Sequence, residues 1–329
     1  MKLLVTGGAG FIGSHYVRTR LAAPGRPADR ITVVDRLTYA GNRDNLAPVA
    51  ADPRLTFVEG DICDPHLVDG LVAGHDAVVH FAAESHVDRS IAAAAEFVRT
   101  NMLGTQILLD AAVRHRAGRF VHVSTDEVYG STDTGSWTEH QPLAPRSPYA
   151  ASKAGSDLLA LAAYTTHGLD VVVTRSSNTY GPYQYPEKII PLFTTNLLDG
   201  LPVPLYGDGS HRREWLHVDD HCAGVDLALR HGRAGEVYHL GGHDELANSD
   251  LTALLLKLTG RGPDLVHHVA DRPGHDHRYA LNSSKATAEL GYRPGVALTD
   301  GLAATVAWYR ANRAWWEPLT ARHHRPGPA

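Results

Sequence analysis

The sequence contains little cysteine, no long apolar run and no large excess of charge. Two cysteines in 329 residues are too few for a disulfide scaffold and favour a reduced compartment, the cytoplasm. No apolar run approaches the roughly 18 residues that a membrane-spanning helix needs. A formal net charge of −5 gives no electrostatic reason to expect a nucleic-acid or membrane partner. The composition, 43% hydrophobic and 20% charged, is that of an ordinary globular protein.

Two further signals are missing. The first residues, Met1 to Gly7, lead directly into a strand and a glycine loop, so no signal peptide is expected. The 21 histidines are scattered along the chain. No pair of them at four-residue spacing in a helical pattern has a glutamate beside it, so no metal site is expected.

A glycine-rich turn follows the first apolar strand, Leu3 to Thr6. Its glycines, Gly7, Gly10 and Gly13, stand three residues apart, and a helix follows them. Such a turn allows close approach of the backbone to a pyrophosphate and close packing of the helix on the sheet. The alternative interpretation is a purely structural glycine turn.

An acidic residue, Asp35, ends the second strand, Ile31 to Val34, at the position of an acid that binds the adenosine ribose 2′-hydroxyl. A carboxylate there would repel a 2′-phosphate, so NAD is favoured over NADP. The neighbouring Arg36 leaves NADP open.

Strands and helices alternate as far as residue 175, with strands predicted at 56–62, 77–83, 120–123 and 171–175. This alternation predicts an α/β fold, a Rossmann-type doubly wound parallel sheet. Residues 1–178 are expected to form the NAD-binding domain, which a strand near 236–240 rejoins. Residues 179–329 are expected to form mainly a smaller C-terminal substrate-binding lobe, and its start, between Ser176 and Gly209, is expected to consist of long loops.

The stretch from Phe120 to Lys153 carries the candidate chemistry. Thr125, Asp126 and Glu127 follow a buried strand, at the edge of the sheet where ligands bind. Ser147 and Pro148 are suited to begin a helix, which places Tyr149 and Lys153 four residues apart on one face. A cationic lysine and the positive helix end should both lower the pKa of Tyr149 and make it a general base. The simpler alternative is a solvated pair of acids and an ordinary amphipathic helix.

With these residues placed, the chain resembles the extended short-chain dehydrogenases/reductases and, among them, is similar to the dTDP-glucose 4,6-dehydratases. The wider resemblance rests on the glycine loop, Asp35 and Tyr149-x-x-x-Lys153. The narrower one rests on blocks that extend over about residues 2–295: Leu37-Thr38-Tyr39-Ala40-Gly41-Asn42, Ala83-Glu84-Ser85-His86-Val87-Asp88-Arg89-Ser90, Thr125-Asp126-Glu127-Val128-Tyr129-Gly130, Gly181-Pro182-Tyr183-Gln184, Pro186-Glu187-Lys188, Trp215-Leu216-His217-Val218-Asp219-Asp220-His221 and Asp271-Arg272-Pro273-Gly274-His275-Asp276.

The resemblance implies an internal redox dehydration of dTDP-glucose to its 4-keto-6-deoxy sugar, with hydride passing from C4 to NAD and then to C6. Tyr149 would take the proton of the 4-hydroxyl, and Thr125 would hydrogen-bond the 4-oxygen. Glu127 would remove the C5 proton, and a protonated Asp126 would donate to the departing 6-hydroxyl. Lys153 would also bind the nicotinamide ribose.

The resemblance also implies two sets of binding residues. The cofactor-binding residues would be Gly7, Gly10, Phe11, Ile12, Gly13, Asp35, Arg36, Leu37, Thr38, Asp61, Ile62, Phe81, Ala82, Ala83, Ser85, Thr100, Tyr149 and Lys153. The substrate-binding residues would be Ser85, Thr125, Asn178, Lys188, Arg213, Asn248, Arg272, His275 and Tyr279. Arg212 precedes Arg213, and the register favours Arg213 as the one that faces the diphosphate.

Helices near 92–115 and 148–167 resemble the pair that forms a four-helix dimer interface in these enzymes, so a homodimer is expected. The short loop between Gly130 and Pro145 is typical of deoxysugar pathways for secondary metabolites. A UDP-sugar 4-epimerase or a UDP-glucuronate decarboxylase on the same fold is the main alternative. A non-catalytic NAD-sensing protein is a further one. Whether the nucleotide base is thymine or uracil stays open.

Overall fold

The structure, a computed structural model, describes residues 1–23, 29–242 and 244–323, with the backbone alone for residues 321–323. Its strands are β1 Lys2–Thr6, β2 Arg30–Asp35, β3 Leu55–Glu59, β4 Ala77–His80, β5 Arg119–Thr125, β6 Val171–Ser176, β7 Asn178–Tyr180, β8 Val203–Tyr206, β9 Arg212–His217, β10 Val237–Leu240, β11 Asp244–Ala247 and β12 Val266–Val269.

The α-helices connect and cover these strands. They are α1 Phe11–Ala22, α2 Pro65–Val72, α3 Val87–Ala92, α4 Ala94–Phe97, α5 Thr105–Arg114, α6 Pro148–His167, α7 Ile189–Leu198, α8 Val218–His231, α9 Asn248–Thr259, α10 Ser284–Leu290, α11 Leu298–Ala311 and α12 Arg313–His323. Within the described ranges, none of the helices has both the length and the apolar character needed to cross a membrane.

Seven parallel strands form the large sheet, in the order β10-β6-β5-β4-β1-β2-β3. The predicted doubly wound α/β sheet is therefore confirmed. The predicted return of the strand near 236–240 is also confirmed, because Val237 pairs with Val173 and Leu240 with Ser176.

Both faces of this sheet are covered, which explains the nearly continuous apolar runs of its strands. On one face Val17 of α1 and Val225 of α8 join the core around β1 and β2. On the other face α2, α5 and α6 pack against β4, β5 and β6. The active-site helix α6 begins as predicted, since the Ser147 hydroxyl accepts a hydrogen bond from Ala150 N at 3.1 Å.

A separate hydrophobic core includes Phe193, Trp215, Leu251 and Leu302. The elements around it, from β7 to α11 without α8, β10 and α10, are called the second lobe below. The expectation of long loops between Ser176 and Gly209 is wrong, because α7 and two short strands lie in that stretch. Pro191 suggested a loop, but it falls in the first turn of α7, where a missing N–H breaks no helical hydrogen bond. The predicted unit 179–329 ends beyond the described residues.

The predicted helix 92–115 is also different in the structure. Helical structure starts earlier, with α3 at Val87, and a π-helix, Val98–Gly104, precedes α5. The wider π turn places Asn101 so that its side chain accepts from Glu84 N at 2.8 Å and donates to Glu84 O at 3.0 Å. Asn101, which interrupts the apolar pattern of the sequence, thus fixes the loop after β4.

Candidate active site

A cleft of about 450 Å³ lies between the carboxyl ends of the large sheet and the second lobe. Every predicted catalytic and substrate-binding residue lines it: Ser85, Thr125, Asp126, Glu127, Tyr149, Lys153, Asn178, Lys188, Arg213, Asn248, Arg272, His275 and Tyr279. So do the predicted cofactor residues Gly7, Gly10, Phe11, Ile12, Gly13, Asp35, Arg36, Thr38, Asp61, Ile62, Phe81, Ala82, Ala83 and Thr100.

Leu37 is the exception, because it is not among the residues that line the cleft. Its backbone is left-handed, with φ at 53°. Its N–H donates to Asp35 Oδ1 at 2.8 Å. Leu37 therefore contributes backbone geometry beside the cleft rather than a lining side chain.

The glycine loop has no room for side chains. A Cβ on Gly13 would meet Gly7 O at 2.3 Å, and one on Gly7 would meet Ala82 N at 2.6 Å. Gly7 also has φ at +67°, which disfavours other residues. This close approach of β1, the turn and α1 leaves open backbone on the cleft side, as a pyrophosphate requires.

Asp35 is held by this loop. Its Oδ2 accepts a hydrogen bond from Ala9 N at 2.9 Å. Burial raises its pKa, and hydrogen bonds from backbone N–H groups, including those of Leu37 and Ala9, oppose that rise. The neighbouring Arg36 has its guanidinium 3.4 Å from Asp61 Oδ2. A carboxylate thus ends β2, and the adjacent cation already has an acidic partner, so the residues fit NAD.

Asp126 and Glu127 begin a 3-10 turn directly after β5. Thr125 accepts a hydrogen bond from Glu127 N at 3.3 Å and donates one to Asp126 Oδ1 at 3.2 Å. These bonds fix the two acids at the end of the strand, facing the cleft.

The surroundings of the two acids differ. Burial, followed by the Glu127 and Glu214 carboxylates, raises the pKa of Asp126 well above its usual range. Burial also raises the pKa of Glu127, but the cations Lys188 and Arg213 oppose it. The coupled pair therefore favours a proton on Asp126 and a charge on Glu127.

Tyr149 lies in the first turn of α6 and is 9% exposed. The expectation of a lowered pKa is wrong for this residue, because burial and the Glu127 carboxylate raise its pKa, with a hydrogen bond to Thr125 acting in the opposite direction. The Lys153 ammonium donates to Val123 O at 2.8 Å. Burial lowers the pKa of Lys153 to about 8, and Asp157 opposes this shift.

A buried polar network is centred on Asp157, one turn after Lys153 on α6. Asp157 of α6 accepts a hydrogen bond from Arg175 Nε at 2.8 Å, and its other oxygen is 3.2 Å from His122 Nε2. Asp157 is fully buried, and although burial works to raise its pKa, Arg175 and His122 hold it at about 2. A charged carboxylate thus joins α6 to the centre of the sheet.

The second lobe directs one of its two neighbouring arginines at the cleft. Arg213 lines the cleft, donates to Asp276 O at 2.8 Å and stacks over the Tyr279 ring at 4.4 Å. Arg212 instead pairs with Glu245. Side chains alternate along β9, so only one of the two arginines can face the cleft.

Two cations of the second lobe reach back to the first lobe. Lys188 Nζ donates to Ser85 O at 2.7 Å. Arg272 forms a two-point ion pair with Asp88, with Nη2 3.0 Å from Oδ2. The loop after β4 and the start of α3 are therefore joined to the second lobe by residues that line the cleft.

Six buried side-chain oxygens at the cleft have no hydrogen-bond partner in the described part of the chain: Ser124 Oγ, Asp126 Oδ2, Asn178 Oδ1, Gln184 Oε1, Glu187 Oε2 and Asn248 Oδ1. A buried polar atom without a partner carries an energetic cost. Their convergence on one cleft is what a site for a polar ligand requires.

The sequence interpretation missed several lining residues, because it assigned no apolar side chains of the second lobe to the cleft. Phe193 of α7 and Pro204, Leu205 and Tyr206 of β8 line the cleft. So does Glu187, whose pKa burial raises to about 7. An available signal was the apolar run directly after Lys188, which places Ile189 to Phe193 beside a predicted ligand.

A dinucleotide loop, an acid at the end of the second strand and Tyr149-x-x-x-Lys153 on one cleft define the class of extended short-chain dehydrogenases/reductases.

Comparisons with known proteins narrow this class. The family model described as GDP-mannose 4,6 dehydratase matches residues 4–305. The dTDP-glucose 4,6-dehydratase of Streptomyces antibioticus is 66% identical over 99% of this chain and 97% of its own length. That of Streptomyces niveus is 63% identical over 99% and 98%. The solved dTDP-glucose 4,6-dehydratase DesIV of Streptomyces venezuelae, with NAD bound, superposes with a TM-score of 0.95 at 64% identity, covering 97% of this chain and 100% of that one. The chain belongs to the dTDP-glucose 4,6-dehydratase family.

Proposed function

We propose that this chain is an NAD-dependent hydro-lyase that converts dTDP-glucose to dTDP-4-keto-6-deoxy-glucose. The observation that carries the proposal is the pair of acids with unequal pKa shifts, Asp126 and Glu127, beside Tyr149 and Lys153 in one cleft. A dehydration next to a ketone needs one base and one acid, and this pair provides both.

The open glycine loop and the carboxylate of Asp35 would hold the cofactor's pyrophosphate and adenosine ribose. Lys153 would bind the nicotinamide ribose. When bound, NAD supplies a hydride acceptor for C4 and then a hydride donor for C6, so it is not consumed.

The first role belongs to Tyr149, which would accept the proton of the sugar 4-hydroxyl. Its raised pKa means that the phenol of the free site carries its own proton at neutral pH. Tyr149 would release that proton to solvent as cofactor and substrate bind, before it accepts the proton of the substrate. Thr125 would hydrogen-bond the 4-oxygen and help to position it. The cationic Lys153 on the same face would stabilise the phenolate once the complex has formed.

The second step belongs to the two acids. The 4-ketone acidifies the C5 proton, and Glu127 would remove it. Asp126, kept protonated by burial and by its acidic neighbours, would donate a proton to the departing 6-hydroxyl. Once hydride has returned to C6, Glu127 would give a proton that has exchanged with solvent back to C5. The hydrogen bonds of Thr125 fix both acids relative to each other for these transfers.

The substrate's nucleotide would bind to the second lobe. Arg213, Lys188 and Arg272 supply cations for the diphosphate. Asn178 and Asn248 supply amides whose oxygens have no partner within the described ranges. Phe193 and Tyr206 would form the slot for the base. Ser85, His275 and Tyr279 complete this proposed set.

The alternatives on this fold explain the acids less well. An epimerase needs no pair of acids after Thr125, and a decarboxylase would need a cation for its substrate's carboxylate. A non-catalytic NAD sensor would have no use for Tyr149 and Lys153 together. Asp126 and Glu127 therefore favour the dehydratase over all three.

We also propose a homodimer formed through a four-helix bundle. Most of the large hydrophobic side chains that are exposed in the described part of the chain lie on the helical stretch from Val87 to Arg114 or on α6: Ile91, Val98, Leu103, Leu158 and Tyr164. Two such stretches from each copy would bury these side chains against each other.

The cellular setting is proposed on separate grounds. Cys63 and Cys222 are both free, which fits a reducing cytoplasm. The short loop between Gly130 and Pro145 supports a deoxysugar pathway of secondary metabolism. Residues 1–178 with β10 would be the NAD-binding domain, and 179–329 mainly the nucleotide-sugar lobe.

The test is to incubate the chain with dTDP-glucose in D₂O and to analyse the product by mass and proton NMR. A product that has lost water and carries one deuterium at C5 is expected. The double variant Asp126→Asn with Glu127→Gln should still oxidise C4, but it should form no 6-deoxy product. dTDP-galactose as the product would contradict the proposal and indicate an epimerase.

A further inference from the structure

Two buried polar side chains at the cleft have no part in the steps proposed above, His221 of α8 and Gln184 of the loop after β7. Both line the cleft, although His221 is 0% and Gln184 is 9% exposed. His221 Nε2 and Gln184 Oε1 have no hydrogen-bond partner among the described residues. Burial of such atoms without a partner costs free energy, and a ligand that donates to both would offset that cost.

Thr179 of β7 fixes the orientation of both side chains. The amide nitrogen of Gln184 donates to Thr179 O at 3.0 Å, and since a carbonyl oxygen can only accept, Gln184 Oε1 is turned away from Thr179. Nδ1 of His221 lies 2.8 Å from Thr179 Oγ1. A single residue of β7 therefore positions both groups.

The hydroxyl of Thr179 also determines which nitrogen of His221 carries the proton. That hydroxyl has one proton, which it donates to Ser177 O at 3.2 Å. It must therefore accept from His221, so Nδ1 carries the hydrogen and Nε2 is left as an acceptor. Burial and, to a lesser extent, His15 lower the pKa of His221 to about 3, which keeps the ring neutral at pH 7. The cleft thus contains two buried acceptors, Nε2 and Gln184 Oε1.

These acceptors lie at the end of the cleft where the nicotinamide is expected. The large sheet has the order β10-β6-β5-β4-β1-β2-β3, and Asp35, proposed for the adenosine ribose, ends β2 on one side of the glycine turn. Lys153, proposed for the nicotinamide ribose, contacts Val123 O of β5 on the other side of that turn. Thr179 follows β6, the strand next to β5. A cofactor that extends from Asp35 to Lys153 would therefore direct its nicotinamide towards Thr179.

His221 is also close to the first turn of α1, which follows the glycine turn. The next residue of α8, Cys222, has its Sγ 3.5 Å from Ile12 O. Ile12 and Gly13 line the cleft where the pyrophosphate is proposed to bind. The imidazole of His221 therefore belongs to the cofactor part of the cleft.

We propose that His221 Nε2 and Gln184 Oε1 accept the two N–H groups of the nicotinamide carboxamide and thereby orient the nicotinamide ring. The amino group of the carboxamide has two donors on one nitrogen, which matches two acceptors and no donor on the protein side. A sugar hydroxyl or the N–H of thymine would supply only one. His221 and Gln184 are positioning residues, and this inference rests on the proposed function, to which it adds the residues that orient the hydride acceptor.

The experiment compares NAD with its 3-acetylpyridine analogue, in which a methyl group replaces the amino group of the carboxamide. Each is titrated calorimetrically into the full chain after bound nucleotide has been removed. The unchanged chain should bind the analogue roughly 10-fold more weakly than NAD, because two buried acceptors lose their donors. His221→Leu should bind NAD itself roughly 10-fold more weakly, and the preference for NAD over the analogue should fall to at most about 3-fold.

The matched control is His231→Leu, which changes an exposed histidine of the same helix. It should reproduce both affinities of the unchanged chain. If His221→Leu fails to fold, Gln184→Met provides the same comparison, since it keeps the length of the side chain and removes the other acceptor.

Thermal unfolding of the nucleotide-free chain separates this role from a structural one. His221→Leu should not lower the Tm, because leucine removes a buried acceptor that has no partner in the described ranges. A lower Tm together with equal weakening of NAD and analogue binding would indicate a structural role and overturn the inference. An unchanged preference for NAD in His221→Leu would overturn the inference alone, whereas a chain that binds no NAD would overturn the proposed function with it.

Discussion

The reactivity of Tyr149 depends on where its phenolic proton is at the start of the reaction. Burial and Glu127 keep that proton in place, while Thr125 opposes them. As the proposed base, Tyr149 would therefore release this proton to solvent within the substrate complex rather than in the free site. Until then its phenol stays protonated.

Replacing Tyr149 with Phe should lower turnover of dTDP-glucose by roughly 10²–10⁴-fold, the usual contribution of a positioned acid or base. The fold should persist, because the ring keeps its edge contact with Phe97 at 6.4 Å. Steady-state assays together with an NAD-binding titration would measure both effects. Tyr164→Phe, on an exposed part of the same helix, is the control and should retain full turnover. Turnover of Tyr149→Phe close to that of the control would rule out the role proposed here.

Single residues were predictable from sequence where a local rule applied. The alternation of side chains along β9 was enough to favour Arg213 over Arg212. The direction of the Tyr149 pKa was not predictable, because it depends on burial and on Glu127, which only the folded chain brings close. The left-handed backbone at Leu37 was not predictable either, because a leucine does not indicate a positive φ.

The turn between β1 and α1 is the element on which the proposed cofactor binding rests. Gly13→Ala should abolish NAD binding, because its Cβ would lie 2.3 Å from Gly7 O. Isothermal titration of NAD into the variant would measure this. Gly70→Ala is a matched control, since a Cβ there meets nothing within 4 Å. The control should bind NAD normally and gain about 0.5–1 kcal/mol of helix stability. Comparable NAD affinity in both variants would contradict the close packing described for the loop.

The link between α6 and the sheet depends on Asp157. Asp157→Asn should lower the free energy of unfolding by about 3–5 kcal/mol, because Arg175 would be left buried without its charge partner. Denaturant unfolding would measure it. The control is Asp170→Asn, whose pair with Arg119 is partly exposed and should cost less than about 1 kcal/mol.

The same ion pair has a pH dependence of known sign. The pKa of Asp157 is held at about 2, below its usual 3.8. Its stabilisation is therefore fully present above pH 3.8 and is lost as the pH falls towards 2. An Asp157→Asn variant that is as stable as the Asp170→Asn control at pH 7 would show that the pair contributes nothing.

Elements with a regular period were foreseen, and those shaped by distant contacts were not. The strands around the glycine loop and the start of α6 follow from apolar runs and a capping serine. The π-helix around Asn101 occurs together with hydrogen bonds between the Asn101 side chain and the backbone of Glu84, which no helical period encodes. The segment that forms α7 was interpreted as a loop because Pro191 was taken as a helix breaker, although it lies in the first turn, where proline is tolerated.

At the scale of the whole molecule, most of the exposed large hydrophobic side chains among the described residues lie on the helical face around Leu103 and Leu158. The double variant Leu103→Arg with Leu158→Asp should convert a dimer to a monomer, because charges replace apolar contacts at the proposed interface. Light scattering coupled to size exclusion would give the mass. Leu201→Asp, which changes another exposed leucine (43% exposed, against 50% for Leu103 and 58% for Leu158), should leave the mass unchanged. A dimer that survives the double variant would place the interface on another face.

The order of the large sheet also affects how the protein is made. In the folded chain β10 pairs with the outer edge of β6, and α8 covers part of one face of β6. Both elements are translated well after β6. While translation is under way, β6 therefore presents an uncovered edge that is able to pair with another growing chain. Residues 1–178 would carry that edge permanently if they were expressed alone. A proposed NAD-binding domain that is to be expressed alone must therefore include β10 and α8, although the sequence suggests a boundary at residue 178.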